Sequence, residues 1–543
     1  MTFILGVHAG TGTYHDPSAC LIDGDGTVLA FVEEERLTRT RHAHGVRMPA
    51  LSVRQCLRLA AVTAEEIDVV AVGWDEPRMS SRAGQPWRFD SPREFLTALG
   101  FRGPRWPDLH FVPHHRAHAA SAFHASGYDR AAVLVLDGNG EDECTSIYRA
   151  QRGGPLVRVA SWPQVYSVGH MYEAVSAWLG LGRHGAGRTM GLAAYDAGNV
   201  PIDPGWLVPD TDRLISVLGG DPDQDYDMLK SRWHEQVIAF TGVDRPKQPP
   251  QSLDTDPVAV HVAGVAQLTV ENVVRWLAAR ARFLTGIDEL CIAGGVGLNC
   301  ATNSRLPGPL YVPPVPHDGG VALSAAWSLA APTNPAVFSA YTGSHPGALP
   351  ADLAGVLVCD VDVDRVADLL LDGRIVGVCR GRSEVGPRAL CHRSFLASPV
   401  SAQMKQTMNM LKRRERWRPF GPVTNADLGT WWSPVGQLDR YMLGAARLTD
   451  QGASTLPAIA HIDGTTRPQR LRDADEPFVA AVLDELARRG HPPVLLNTSF
   501  NGPGEPLVDT AAEAFDCARR LGADAIVTDS ALLLLDPVKT SRR

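Results

Sequence analysis

The chain is poor in cysteine and has no paired cysteine motif. Its 543 residues include nine cysteines, and no two of them are spaced Cys-x-x-Cys. An odd and scattered set of this kind excludes a disulfide framework and a zinc site built from thiolates. Thiols that stay unpaired are typical of a reducing compartment, so we expect a cytoplasmic protein.

An excess of positive charge and a long apolar run are also absent. Lysine and arginine number 52 against 60 aspartate and glutamate residues, which gives a formal net charge of -8. This balance disfavours a protein that holds nucleic acid by a general positive field. The N-terminus lacks the basic head and apolar core of a signal peptide, and no stretch has the length needed to span a bilayer. We therefore expect small-molecule partners, no nucleic acid and no membrane, and leave homo-oligomer formation open.

What is present is an ordinary globular composition, with 44% hydrophobic and 21% charged residues. The length exceeds one core of usual size, so two or more domains are expected. Predicted strands and helices alternate along the chain, which favours the α/β class. Prolines and glycines interrupt residues 331–350. We place the domain boundary there, with a first domain at 1–335, a linker at 336–350 and a second domain at 351–543.

The first domain reads as an internal duplication. Residues 3–33 predict three strands with a loop of small residues after the first, and a similar layout returns at residues 131–161. Each half would then contribute one polar loop to a shared cleft.

Three histidines fall within five positions where the chain leaves a predicted strand. His114 and His118 are four residues apart, so a helix would place both imidazoles on one face, while His115 would point elsewhere. Asp137 and Asp318 are each followed by glycine and could supply oxygen ligands. Such a set suits iron, manganese or zinc, and the ligand types do not choose among them. The alternative is that the histidines only cap a helix and meet solvent.

A glycine-rich turn and an arginine-rich segment predict anion binding. The run Gly294-Gly295-Val296-Gly297 follows a predicted strand and opens a helix at Asn299, where free amides can meet a phosphate or a nucleotide sugar. Close packing of helix on strand explains the same glycines equally well. In the second domain, Arg388 lies between rigid neighbours, and guanidinium groups match phosphate oxygens in pairs. For residues 412–416 a solvated helix face is the simpler interpretation.

These residues together resemble the O-carbamoyltransferase family, the group of the nodulation and tobramycin carbamoyltransferases. The first part resembles a Kae1-like, actin-type (ASKHA-type) domain, through motifs at 15–19, 33–39, 114–118, 137–138, 188–193 and 294–299. The second part resembles a YrdC-like α/β domain, through motifs at 386–394, 412–420 and 497–506. The resemblance covers nearly the whole chain.

The resemblance implies a two-step transfer. Carbamoyl phosphate would yield carbamate, which ATP with Mg²⁺ activates as carbamoyl adenylate in the YrdC-like domain. A hydroxyl of a small natural product, such as a sugar or an antibiotic intermediate, would then attack the adenylate in the Kae1-like domain. Two alternative functions remain for a protein with this pair of folds. One is a tRNA threonylcarbamoyladenosine-type modification factor, and the other is an ATP-binding regulatory module without transferase activity.

The resemblance also implies roles for particular residues. The iron ligands, with another divalent metal as the alternative, would be His114, His118, Asp137 and Asp318. The catalytic set would be His15, which faces the acceptor, with His114, Arg388 and Arg418. The cofactor-binding set would be Asp137, Gly138, Gly140, Gly169, Arg188, Gly294, Gly295, Asn299, Arg393, Arg413, Ser499 and Asn501. Cys391-His392 stands where the family pattern has Gly-Asn, so we expect the backbone to be reshaped there.

Overall fold

The structure is a computed structural model that describes residues 2–9, 15–82, 86–196, 203–219, 226–332, 338–426 and 428–535. It divides into two compact units. The first comprises Met1–Glu34 with His44–Phe338, and the second comprises Glu35–Ala43 with Ser339–Arg543. The sequence assigned residues 35–43 to the first domain, whereas the structure groups them with the second. Residues 339–350 of the expected linker also belong to the second unit, and 336–337 lie outside the described residues.

The first unit carries two five-stranded sheets, a two-stranded sheet and helices. Its described strands are β1 (Phe3–His8), β2 (Ser18–Asp23), β3 (Val28–Glu33), β4 (Val69–Val72), β5 (Asp108–Phe111), β6 (Arg130–Leu136), β7 (Thr145–Gln151), β8 (Val157–Trp162), β9 (Leu207–Pro209), β10 (Leu214–Ser216), β11 (Leu290–Ala293) and β12 (Leu310–Tyr311). The helices, the first of which crosses into the second unit, are α1 (Glu34–Thr38), α2 (Ala50–Ala60), α3 (Glu76–Arg82), α4 (Pro92–Ala98), α5 (His114–Ser126), α6 (Val168–Trp178), α7 (Ala186–Ala193), α8 (Tyr226–Thr241), α9 (Pro257–Thr285), α10 (Cys300–Asn303) and α11 (Val321–Trp327).

The two five-stranded sheets repeat one arrangement. The first has the order β3-β2-β1-β4-β5, and the second has β8-β7-β6-β11-β12. In each sheet the first strand pairs antiparallel with the hairpin strand that follows it and parallel with the later strand on its other side. The predicted internal duplication is therefore confirmed. It places the carboxyl ends of β1, β4 and β6 where polar loops can converge.

The long helix α9 is the core helix of this unit. Asp256 caps its N-terminus by accepting from the amides of Val258 and Ala259, and Gly286 ends it in the left-handed conformation. Its length and apolar composition would suffice to cross a membrane, but 67% of its most apolar window is buried inside the protein. A buried core helix of a globular unit has the same composition.

The second unit is built on one mixed eight-stranded sheet. Its described strands are β13 (Leu357–Cys359), β14 (Val376–Cys379), β15 (Arg393–Ala397), β16 (Gly421–Thr424), β17 (Ala446–Arg447), β18 (Thr465–Thr466), β19 (Gln469–Arg470), β20 (Leu495–Ser499), β21 (Ala525–Thr528) and β22 (Leu532–Leu534). Its helices are α12 (Val363–Leu371), α13 (Ala402–Leu411), α14 (Asp450–Thr455), α15 (Pro477–Arg488) and α16 (Ala511–Leu521). The sheet order is β13-β22-β21-β14-β15-β20-β16-β19.

Alternating residues send apolar side chains to both faces of this sheet. On β20, Leu495 joins the core under α12 and α15, while Leu496 joins the core under α13 and α16. Burial on both faces is what a central strand with consecutive apolar residues requires. The predicted α/β class is confirmed for both units.

Strand β20 runs through Ser499, so Asn497 and Thr498 lie within the sheet. One detail differs from the sequence expectations. Cys391 keeps a left-handed backbone with φ of 83°, so the conformation that favours glycine is retained with a side chain in place and is not reshaped.

Candidate metal centre

Helix α5 presents the two histidines that the sequence paired. It begins at His114, directly after Pro113, which offers no side-chain cap. Glu141 takes that role from another loop, because both of its carboxylate oxygens accept from the His114 amide, at 2.8 and 3.0 Å. A carboxylate at a helix N-terminus satisfies free amides and complements the helix dipole. The start of the helix, and with it the position of His114, is fixed by this contact.

Four donors from three segments converge beside α5. The Nε2 atoms of His114 and His118 lie 3.1 Å apart. Asp137 Oδ2 is 3.3 Å from His114 Nε2 and 3.2 Å from His118 Nε2. Asp318 Oδ1 is 3.5 and 3.4 Å from the same two nitrogens. All four ligand atoms lie within 4.8 Å of one another. The structure thus brings together the whole set that the sequence predicted.

Two of the four donors, His114 and Asp137, are held by contacts behind them. His114 Nδ1 is 3.0 Å from the carbonyl oxygen of Gly73, so Nδ1 donates to that oxygen and Nε2 faces the centre. The indole of Trp74 stacks on the same imidazole, with ring centroids 3.8 Å apart. Asp137 Oδ1 accepts from the Gly138 amide at 2.8 Å and from the Gly295 amide at 3.4 Å. Oriented imidazoles with backing partners are typical of metal ligands.

The electrostatics of the cluster agree with a cation between the acids. Although burial lowers the pKa of His114, the charge of Asp318 and the hydrogen bond with Asp137 raise it well above its usual range. Burial raises the pKa of Asp318, but the His114 charge and the imidazole hydrogen bonds bring it well below its usual range. Two carboxylates and two imidazoles in a buried space therefore need positive charge among them. Protons on the imidazoles or a divalent ion would supply it, and the donor set fits the ion.

The neighbouring histidines are separate from this cluster. His115 Nδ1 is 2.7 Å from Ser146 Oγ, so the ring points away from the four donors, as the sequence predicted. His15 Nδ1 is 3.0 Å from Asp16 Oδ2. Burial lowers the pKa of His15, but the hydrogen bond and charge of Asp16 outweigh it and raise the pKa to about 9.

Glycines form close approaches around Asp137. Gly294 has φ of 88°, and a Cβ there would lie 2.1 Å from the Leu136 carbonyl oxygen, so only glycine fits. A Cβ at Gly169 would lie 2.9 Å from the Gly138 backbone, and one at Gly140 would lie 2.6 Å from the His115 ring. Dense packing thus requires these glycines, and a nucleotide role for them stays a prediction.

The remaining predicted residues of the first unit have structural contacts. Asn299 caps α10 by accepting from the Thr302 amide at 3.1 Å, and its amide nitrogen donates to Gln267 Oε1 at 2.9 Å. The guanidinium of Arg188 donates to the carbonyl oxygen of Leu181.

In the second unit the structure organises Ser499 and Asn501 around a lysine. Lys412 Nζ donates to the Asn501 carbonyl oxygen at 2.7 Å and to Ser499 Oγ at 3.2 Å. Burial, with Arg414 nearby, holds the pKa of Lys412 well below its usual range. Lys412 was assigned by the sequence to a solvated helix face, and its 5% exposure contradicts that interpretation.

The predicted arginines of this unit differ in their exposure to solvent and in their hydrogen-bond partners. Arg388 is half-buried, Arg413 is exposed, and Arg418 Nη1 is 3.4 Å from Glu415 Oε2. Arg393 is fully buried, and its guanidinium donates to the backbone carbonyls of Asp509, Arg380 and Ser344 at 2.9 to 3.0 Å. These donors hold loops of the fold, and a cofactor role for Arg393 stays a prediction.

Sequence reasoning missed two residues near the centre. One is Glu141, and the only sequence feature that could have identified it is its position directly after Gly138-Asn139-Gly140. His8 is the other, and it lies at the end of β1 with Nε2 3.7 Å from Asp318 Oδ2. A single histidine at a strand end carries no motif, so only the fold reveals its position.

Two family models match the chain in sequence order. The model described as Carbamoyltransferase N-terminus matches residues 99–327, and Carbamoyltransferase C-terminus matches residues 367–534. The first match contains all four donors of the candidate centre.

Two curated relatives match over almost the full chain. Nodulation protein NolNO of Sinorhizobium fredii is 30% identical, covering 96% of this chain and 79% of that protein. The 3'-hydroxymethylcephem-O-carbamoyltransferase of Amycolatopsis lactamdurans is 29% identical, and the match covers 95% of this chain and 97% of that protein. Among solved structures, full-length HypF with phosphate and nucleotide is 14% identical, covers 60% of this chain and 55% of that one, and has a TM-score of 0.32. No conclusion is drawn from so low a score.

Proposed function

Because this chain belongs to the carbamoyltransferase family, as its full-length relatives and both family models show, we propose that it carbamoylates a hydroxyl of a small natural product with carbamoyl phosphate and ATP. Water hydrolyses carbamoyl phosphate to carbamate and inorganic phosphate. Carbamate attacks the α-phosphorus of ATP, which gives carbamoyl adenylate and pyrophosphate. The acceptor hydroxyl then attacks the carbamoyl carbon and releases AMP.

The observation that supports this proposal is the four-donor cluster at the carboxyl ends of the duplicated sheets. His114, His118, Asp137 and Asp318 would hold a divalent ion, with iron as our choice. Such an ion acts as a Lewis acid on a phosphate or carbonyl oxygen. The protein's own part is to fix the ligands, through the Gly73 carbonyl and the glycine amides behind Asp137.

His15 is our candidate for the base that receives the acceptor proton. Asp16 lies against its Nδ1 and stabilises the imidazolium that forms when the other nitrogen takes the proton. The hydroxyl oxygen gains nucleophilicity as the proton leaves, while the bond from the carbamoyl carbon to the adenylate oxygen breaks.

We assign formation of the adenylate to the second unit. Lys412 with Ser499 and Asn501 offers a buried amino group beside hydroxyl and amide groups, and Arg388 and Arg418 would neutralise phosphoryl oxygens. Mg²⁺ would accompany ATP there. Glycines 138, 140, 169, 294 and 295 with Asn299 and Arg188 would hold the nucleotide part in the first unit.

The relatives support the class of acceptor without fixing its identity. One relative is named for carbamoylating a 3'-hydroxymethylcephem, which is a small antibiotic intermediate with a primary hydroxyl. We propose an acceptor of that general kind for this chain, a sugar or antibiotic intermediate.

The test is incubation of the purified chain with ATP, Mg²⁺, carbamoyl phosphate and a panel of hydroxyl-bearing natural products. We expect AMP and pyrophosphate in equal amounts and a product heavier by one carbamoyl group. AMP release that continues without carbamoyl phosphate would refute the donor, and a product on tRNA in place of the small acceptors would favour the threonylcarbamoyl alternative. ATP binding with no group transfer to any acceptor would favour the regulatory module.

A further inference from the structure

The last residue of strand β1 is a histidine directed at the metal centre. His8 pairs in register with Ser18 of β2. The hydroxyl of Ser18 donates to the carbonyl oxygen of Gly319 at 2.8 Å. These contacts fix the end of β1 against the segment that begins with Asp318. The His8 side chain is fully buried, with 0% exposure.

The His8 ring has no hydrogen-bond partner among the described residues of the chain. Neither Nδ1 nor Nε2 makes such a bond. The nearest charged group is Asp318 Oδ2, at 3.7 Å from Nε2, which is too long for a hydrogen bond. The ring centroid lies 6.2 Å from that of His114. A buried imidazole with unused nitrogens is costly, so an apolar residue would serve better here unless the ring has a partner in the working protein.

The two oxygens of Asp318 face different groups. Oδ1 faces the Nε2 atoms of His114 and His118, at 3.5 and 3.4 Å. Oδ2 is on the other side and faces His8. A carboxylate that binds an ion through one oxygen needs a donor on the other to keep its orientation. His8 is the group in position to donate, and a displacement of less than about 1 Å closes the hydrogen bond.

We propose that His8 is a positioning residue of the metal centre, whose Nε2–H donates to Asp318 Oδ2 and thereby directs Oδ1 at the ion. This inference rests on the proposed metal centre and deepens it. His8 is not one of the four mutually close donors, so it acts through Asp318 and not as a ligand. Loss of the donor lets the carboxylate rotate, and metal affinity falls with no ligand removed.

The test compares three replacements of His8 in the full-length chain, after removal of metal with a chelator. The amide nitrogen of glutamine reaches the position of Nε2, whereas that of asparagine reaches only the position of Nδ1. We expect His8→Gln to bind Co²⁺ within about 3-fold of the parent, and His8→Asn and His8→Leu to bind about 10- to 100-fold more weakly. Chelator competition measures the affinity, and the Co²⁺ absorption spectrum reports ligand geometry.

The matched control is His124→Gln, which replaces another buried histidine of the first unit, on the far end of α5 from the ligands. It should leave Co²⁺ affinity unchanged. In a second arm, His8→Leu is combined with Asp318→Asn, and the effect of His8→Leu should vanish once Oδ2 is gone. Equal affinities of the glutamine, asparagine and parent chains would overturn the role of His8. A parent chain that binds no Co²⁺ would overturn the metal centre itself, and this inference with it.

Discussion

Glu141 holds the first residue of the helix that carries the two candidate histidine ligands, because both of its carboxylate oxygens accept from the His114 amide, at 2.8 and 3.0 Å. Oε1 also accepts from the Asp75 amide at 3.0 Å. One side chain therefore joins the start of α5 to the loop after β4. The relationship explains why a helix without a side-chain cap of its own begins at a ligand.

Removal of the Glu141 cap should lower both the stability of the first unit and its affinity for a metal ion. We expect Glu141→Ala to destabilise the first unit by about 1–2 kcal/mol, as loss of a helix cap does, and to weaken metal binding as well. Asp142→Ala is the matched control, because its neighbouring carboxylate pairs with Arg78 away from the helix start. Thermal unfolding and Co²⁺ titration of both variants measure the difference. An unchanged Glu141→Ala chain would show that the helix needs no such cap.

Removal of a ligand should separate the two proposed steps. We expect His118→Ala to lose transfer to the acceptor by at least about 100-fold, because the ion loses one of four donors. Pyrophosphate formation from ATP should persist, since we propose that the second unit carries out that step. His110→Ala is a control at an exposed histidine of β5. The carbamoylated product is measured by mass spectrometry. A His118→Ala chain that transfers at the parent rate would show that the His118 imidazole is not needed for transfer.

The rate of transfer should rise with pH if His15 is the base. Asp16 raises the pKa of His15 to about 9 against the effect of burial, so the neutral form that accepts a proton gains population as pH increases toward 9. The variant Asp16→Asn removes the raising charge and should shift the rise to lower pH. Asn also tolerates the φ of 56° found at this position. The measurement is acceptor-dependent AMP release from pH 6 to 10, and coincident profiles for the two chains would exclude His15.

Arg393 should matter for stability. Its guanidinium is buried and donates to several backbone carbonyls, so Arg393→Met leaves buried acceptors unsatisfied and should cost at least about 3 kcal/mol. Arg413→Met replaces an exposed arginine and should leave the unfolding midpoint nearly unchanged. Thermal unfolding compares the two. Equal midpoints would show that the carbonyls find other donors.

Acid should destabilise the first unit through buried neutral histidines. Burial, with Arg152 nearby, lowers the pKa of His124 from 6.5 to about 4. The unfolded chain therefore takes up a proton at a pH where the folded one does not, and stability falls as pH drops from about 6.5 to about 4. At pH 5 the loss from this group is about 2 kcal/mol. His124→Gln should flatten the fall in unfolding temperature between pH 7.5 and 5, and an identical slope would contradict the assignment.

The sequence predicted most of what local pattern can determine. The spacing of His114 and His118 identified the candidate ligand pair because a helix brings residues four apart together, and the repeated strand layout identified the duplicated sheets. The sequence did not reveal Glu141 or His8, since their contacts depend on which distant segments meet at the strand ends. The carbonyl contacts of Arg393 could not be predicted for the same reason. A guanidinium beside a glycine-rich loop looks the same in sequence whether it meets phosphate or the carbonyls of its own fold.

Residues Glu35–Ala43 belong to the second unit although they lie within the N-terminal part of the chain. This affects how the two units can be produced as separate fragments. Within the second unit, Arg36 donates to the Gly386 carbonyl at 2.8 Å and Arg39 donates to the Leu507 carbonyl at 2.6 Å. A single cut after Phe338 therefore leaves the C-terminal fragment without the peptide that makes these hydrogen bonds. Anyone who wishes to produce that fragment alone would need to supply the missing peptide, for example by fusing it ahead of Ser339 through a flexible tether.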